Sequence, residues 1–261
     1  PPPTQSDRLW DEPETYNRAA LWETARAWAE RYPEDGNVLW RAARAAHDAA
    51  NEAGVAAARK KELLGEALRL IREAKARSPG DGSVCRWSGT ILSAAGAFQG
   101  TTEYIKNAFH IRADWEDALT IDPTDASAAH LLGRWHYDVA TMSWLTRTAA
   151  ATFFATPPTS TLPDALAMFT RAEDISPGFW IANQLWLAKT QYALGARAEA
   201  VRWAASAVRI AVRTADDAKD HAEAEKLLAS WDKDAAGAWA AEVKAREEAR
   251  AKAAAARVRT L

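Results

Sequence analysis

Three stretches of the chain repeat one arrangement of apolar positions. They are Ala67, Ile71 and Ala74 before Pro79, Ile111, Trp115 and Ala118 before Pro123, and Ala165, Phe169 and Ala172 before Pro177. In each, alanine stands five residues ahead of the proline, a large apolar residue eight ahead, and a third core position twelve ahead. Steps of three and four keep all of them on one face of an α-helix. The proline, which has no N–H to give, closes that helix and turns the chain. Ten residues beyond Pro79 and Pro123 stand Gly89 and Gly133, and Leu187 takes that place after Pro177. A small residue on one helix lets a bulky one on its neighbour approach closely. The spacing predicts antiparallel helix pairs of the tetratricopeptide kind.

Further members are looser. Pro33 before Asn37–Ala50 reads as an earlier, degenerate unit. Leu194-Gly195 followed by Ala200, Ala204 and Ala207 reads as a last one, with Val212 where proline would stand. The expected array has about four and a half helix pairs. Its prolines lie 46, 44 and 54 residues apart, all above the roughly 34 of a plain unit. The largest excess falls in 141–162, and insertions in solenoids usually gather on one face, often the binding face. Thr161-Leu162-Pro163-Asp164 predicts a helix restart, with Thr161 as cap, Asp164 returning the bond and Pro163 in the first turn. Residues 232–261 are rich in Ala, Lys, Arg and Glu without a sustained heptad, which predicts a solvated C-terminal helix. The expected organisation is an acidic helical lead-in at 1–36, a repeat domain at 37–231 and that helix. The fold class is all-α, a tetratricopeptide-like right-handed solenoid with long insertions.

Composition supports this and narrows the chemistry. Ala, Leu, Arg and Glu favour helix, and strand-type alternation is scarce. No stretch reaches the roughly 20 apolar residues of a membrane span. The chain opens Pro1-Pro2-Pro3 and not with Met, which leaves room for an upstream targeting segment or anchor. A net charge of −2 argues against nucleic acid as a partner. Charge is uneven, with net −4 over residues 1–36 and net +3 over 242–261. The tail bases and the run Arg59-Lys60-Lys61 could attract an acidic partner or anionic headgroups. Most of the thirteen tryptophans are expected in helix packing, and the remainder on an aromatic partner surface.

No catalytic constellation emerges. His130 and His136 lie six residues apart, on different sides of a helix, and cannot share a metal. Cys85 is alone, at an inward-facing register, and reads as an inert buried thiol. Gly80-Asp81-Gly82-Ser83 lacks the lysine of a phosphate loop and reads as a turn. The chain is expected to be no enzyme and to need no cofactor or metal.

Irregular residues carry a more specific signal. Leu131-Leu132-Gly133-Arg134-Trp135, Ser143-Trp144, Arg147 and 153–161 resemble the regulator of microtubule dynamics family, as do Ile105–Phe109 and His110–Arg112. The resemblance covers roughly 37–231. It implies a non-enzymatic tetratricopeptide-like adaptor, associated with microtubules and large protein assemblies, with tubulin as a candidate partner and the cytoskeleton or a cilium as its setting. A second setting is also implied, a mitochondrial or membrane-contact protein that binds phospholipid. Two departures stand out: the chain lacks the N-terminal membrane helix of a tethering relative, and His136 stands where members carry a small thiol residue. The candidate partner-binding residues are Lys106, Asn107, Arg134, Trp135, Trp144, Arg147, Pro157 and Pro158. They cluster in or beside the segments that exceed a plain repeat.

Overall fold

The structure, a computed structural model, describes residues 17–153 and 156–259. Residues 1–16 of the acidic lead-in, Phe154-Ala155 of the insertion and Thr260-Leu261 of the tail lie outside the described residues. The described residues form twelve helices and no strand. The chain divides at Ser176/Pro177 into two compact units. The first holds α1 (Arg18–Arg31), α2 (Gly36–Ala50), α3 (Ala57–Arg77), α4 (Gly82–Gln99), α5 (Thr101–Ile121), α6 (Ala126–Ala140), α7 (Trp144–Ala151) and α8 (Leu162–Ile175). The second holds α9 (Ile181–Ala193), α10 (Arg197–Ala207), α11 (Ala215–Trp231) and α12 (Lys233–Arg259).

Helices begin for local reasons. Pro33, Pro79 and Pro123 are each followed two residues on by an aspartate, and each aspartate is an N-cap. Asp35 accepts from the Asn37 N–H at 2.8 Å, Asp81 from the Ser83 N–H at 2.8 Å, and Asp125 from the Ala128 N–H at 2.9 Å. Each thereby satisfies a donor that the first helical turn leaves without a backbone partner. The expected restart at Thr161 is present as a reciprocal capping box with Asp164, and Pro163 lies in the first turn. Thr214 and Asp217 start α11 in the same way.

Packing follows the repeat register closely. All nine positions that recur before Pro79, Pro123 and Pro177 are buried. Ala200, Ala204 and Ala207 of the last repeat are fully buried as well. The two glycines sit against the bulky residues of their partner helices. A Cβ on Gly89 would lie 2.6 Å from Trp115 Nε1, and one on Gly133 would lie 2.7 Å from Phe169 Cδ1. Volume is traded between the partners from pair to pair. At the register of Gly89 the preceding pair carries Ala43, with Ile71 in the bulky position. In the second unit the sizes are reversed, Leu187 holding the glycine register and Ala204 the bulky one. Close-packed cores require this compensation, since a change of one methylene is felt.

Polar links tie the helices of the first unit. Asp114 on α5 is buried and accepts from Ser88 Oγ of α4 at 2.6 Å and from the Lys75 ammonium of α3. Arg86 on α4 pairs with Asp125, the cap of α6, at 2.8 Å. In the second unit Trp239 is the buried anchor of α12, its indole N–H donating to Glu225 of α11 at 2.8 Å.

Candidate partner-binding site

The candidate site lies at the first turns of α5 and the last turns of α6, beside the insertion. The first turns of α5 add Ile105 and Ala108 to the buried face of Ile111 and Trp115, one to two turns earlier. The last turns of α6 bring Trp135 and Val139 over them. Trp135 is only 1% exposed, and its indole N–H reaches across to the Ala108 carbonyl at 3.0 Å. The Arg112 guanidinium lies 5.3 Å from the centre of the indole, within cation–π range.

The insertion folds against this corner. After α6 ends at Ala140, Ser143 accepts from the Thr146 N–H at 3.2 Å and starts α7. The inner side of α7 buries Ala150, whereas Trp144 and Leu145 point outward at 76% and 67% exposure. Among the described tryptophans Trp144 is the one classed as exposed. Arg147 folds back and donates to the Val139 carbonyl at 3.4 Å. Beyond α7, Pro158 is buried and lines the same hollow as Thr146 of that helix. Ile105, Trp135, Val139, Met142, Thr146 and Pro158 enclose a hollow of about 190 Å³.

The expected site residues thus fall into two groups. Trp135 and Pro158 are buried supports, with Pro157 half-buried beside them. Lys106, Trp144 and the half-buried Arg147, Arg134 and Asn107 reach the surface around them. Lys106 pairs with Glu103 at 2.7 Å and lies 5.4 Å from the Phe153 ring, and Arg134 faces Asp138 at 3.8 Å. Exposed Phe109 and Phe153 extend the apolar surface. Val139 and Met142, which help build the hollow, were not singled out from sequence, and Ile105 and Ala108 were noted only within the Ile105–Phe109 resemblance and not as site residues. The available signal was that the apolar face of α5 continues past the length a repeat needs.

Titratable groups at this corner serve structure. His136 Nδ1 lies 2.6 Å from Ser160 Oγ. Burial holds its imidazole below the ordinary histidine range, partly offset by the Asp164 carboxylate. Asp164 is itself held below the usual carboxylate range by its hydrogen bond from Thr161. Away from the corner, Cys85 is buried, and desolvation pushes its thiol above the usual range despite the nearby Lys75. A thiol held protonated and out of solvent is a poor nucleophile. Among the described residues no helix is long and apolar enough to cross a membrane.

Helix pairs with aspartate caps at α2, α4 and α6, glycine-to-aromatic contacts, and prolines after α1, α3, α5 and α8 define a protein of the tetratricopeptide-repeat class. A solved thermophilic tetratricopeptide protein of Thermus thermophilus shares the fold, with a TM-score of 0.58 at 16% identity over 85% of this chain and 96% of that one. The family described as regulator of microtubule dynamics protein 1-3 matches residues 4–232, and the chain belongs to it. The bovine regulator of microtubule dynamics protein 1 is 35% identical over 224 residues, 86% of this chain and 69% of the relative. The human protein 1 is 36% identical over 74% of this chain and 61% of its own length. Protein 3 of Xenopus laevis is 29% identical over 76% of this chain and 42% of its own length.

Proposed function

We propose that the chain is a non-enzymatic scaffold that joins microtubule-associated assemblies through the face built by α5, α6 and the insertion. The observation that carries this reading is the outward display of Trp144 and Leu145 on a short helix seated on a buried base. An exposed indole costs the free chain and gains its return when a partner covers it, as aromatic anchors do at interface hot spots. Lys106, Asn107, Arg134 and Arg147 supply polar rim contacts around that anchor, while Trp135, Pro157 and Pro158 hold it in place. The family's name supports microtubules as the setting, a cilium being one such array.

At this corner the space supports a protein side chain better than an enclosed lipid. The hollow of about 190 Å³ suits one side chain and is smaller than the roughly 300–1,000 Å³ of pockets that enclose small molecules.

The test is co-sedimentation of the purified chain with taxol-stabilised microtubules, comparing wild type, Trp144→Ala and Arg147→Ala across a salt series. The reading expects pelleting by the wild type that weakens with salt and is lost in Trp144→Ala at unchanged melting temperature. Pelleting no greater than in tubulin-free controls, or full retention by Trp144→Ala, overturns it.

A further inference from the structure

A second surface of the first unit lies away from the insertion, between the N-terminal half of α3 and the C-terminal end of α4. Here Leu64, Leu68 and Ala95 form the floor of an apolar groove of about 430 Å³, with Phe98 as one wall. Phe98 is 38% exposed, and the Lys60 ammonium, which donates to Asn51 Oδ1 at 3.1 Å, lies 5.9 Å from its ring centre at the edge of the groove. Among the described residues Lys61 lines the groove and no carboxylate does. The third base of the run, Arg59, is drawn off to Glu62 and Glu23 and takes no part.

Gly65 opens the groove. It stands inside the 21-residue helix α3, where glycine destabilises relative to alanine. Gly89 and Gly133 admit an aromatic ring, but a Cβ on Gly65 would meet nothing within 4 Å among the described residues. The intramolecular packing therefore gives no reason for a glycine there. What the missing side chain does is keep an apolar floor accessible beneath a rim of lysines.

We propose that this groove is a docking site for an acidic segment of a partner protein, anchored by one large apolar side chain. The anchor would lie over Leu64, Leu68 and Ala95 against Phe98, and the flanking carboxylates would meet Lys60 and Lys61. Apolar area supplies affinity in such a site, and the cations supply sign preference and salt dependence. This surface is separate from the α7 face, so the proposal stands or falls independently of the microtubule reading.

The experiment is fluorescence anisotropy with a fluorescein-labelled oligo-glutamate carrying one central tryptophan, titrated with the full chain. Controls are oligo-glutamate without tryptophan and oligo-lysine with it. Saturable binding is expected for the first probe, at least tenfold tighter than for either control and weakening with salt. Gly65→Leu, which fills the groove with a good helix former, should reduce affinity at least tenfold without lowering the melting temperature. Lys61→Glu should reduce it severalfold, and Trp144→Ala should leave it unchanged. Equal binding to wild type and Gly65→Leu, no preference for the tryptophan, or equal binding of oligo-lysine overturns the proposal. So does binding that appears only after residues 1–16 are removed, since the chain's own acidic stretch would then be the occupant.

Discussion

Gly133→Ala adds one methyl group at a position where the ring of Phe169 already stands. The new carbon would lie 2.7 Å from Cδ1, 2.8 Å from Cε1 and 3.1 Å from Cγ of that ring. Carbon atoms prefer about 3.5–4.0 Å, so the ring must retreat by roughly 0.8 Å. Phe169 is fully buried, so the retreat pushes into packed core. Overpacking of this kind costs about 2–3 kcal/mol, against a gain of about 1 kcal/mol from replacing a helical glycine by alanine. The expected net loss is about 1–2 kcal/mol, a fall in melting temperature of roughly 2–8 °C by circular dichroism. Phe169→Leu alone should lose about 1–2 kcal/mol to a cavity. Combined with Gly133→Ala it reproduces the Ala43 and Ile71 type of pairing, so the double variant should be more stable than the sum of the two losses by about 1–2 kcal/mol. A rise in melting temperature for Gly133→Ala, or strict additivity in the double variant, would refute the assigned contact.

Gly65→Ala should do the opposite. Its Cβ meets nothing, so the helix gain of up to about 1 kcal/mol should appear as a raised melting temperature. Asp125→Ala removes the cap of α6 and the partner of Arg86, and should cost about 1–2 kcal/mol in chemical denaturation. His136 is held below its unfolded pKa by burial, so the unfolded chain binds the proton more readily. Its stability contribution is complete above the unfolded value of about 6.5 and is lost as the pH falls from there toward the lower folded value. Melting temperature measured against pH should therefore drop on that acid side, and His136→Gln should flatten the drop.

The helix pairs were legible because their signals are local and repeated. Ile71, Trp115 and Phe169 occupy one offset from a proline, and burial follows from that offset alone. Thr161 and Asp164 announced their capping box for the same reason. The insertion was legible only as excess length. Nothing in the sequence separates Trp135 of α6, buried with its N–H on the Ala108 carbonyl, from Trp144 of the insertion, which stands in solvent. That difference is decided by which side of α6 and α7 faces α5, a tertiary matter. The family resemblance picked out both tryptophans and could not assign their different roles. The groove beside Gly65 was invisible for a related reason: its residues come from two helices, and its distinguishing feature is an absence of contact. The basic run Arg59-Lys60-Lys61 was noticed, but only the structure splits it, sending Arg59 to Glu23 and Glu62 and leaving Lys60 and Lys61 beside Phe98.

The trade of volume between paired helices also bears on how the chain finds its native arrangement. Repeat proteins are prone to misassembly because each helix resembles its counterparts, and a wrong neighbour offers almost the same apolar stripe. Here the counterparts are not equivalent. Trp115 fits a partner with glycine at the matching register, and against α2 it would meet Ala43 instead. Ile71 placed against α4 would leave a void over Gly89. Each mistaken pairing is thus either too full or too empty, at a cost comparable to that of a core mutation. The graded sizes act as a sorting code written into the core, favouring correct partners during synthesis and discouraging exchange of helices between neighbouring molecules.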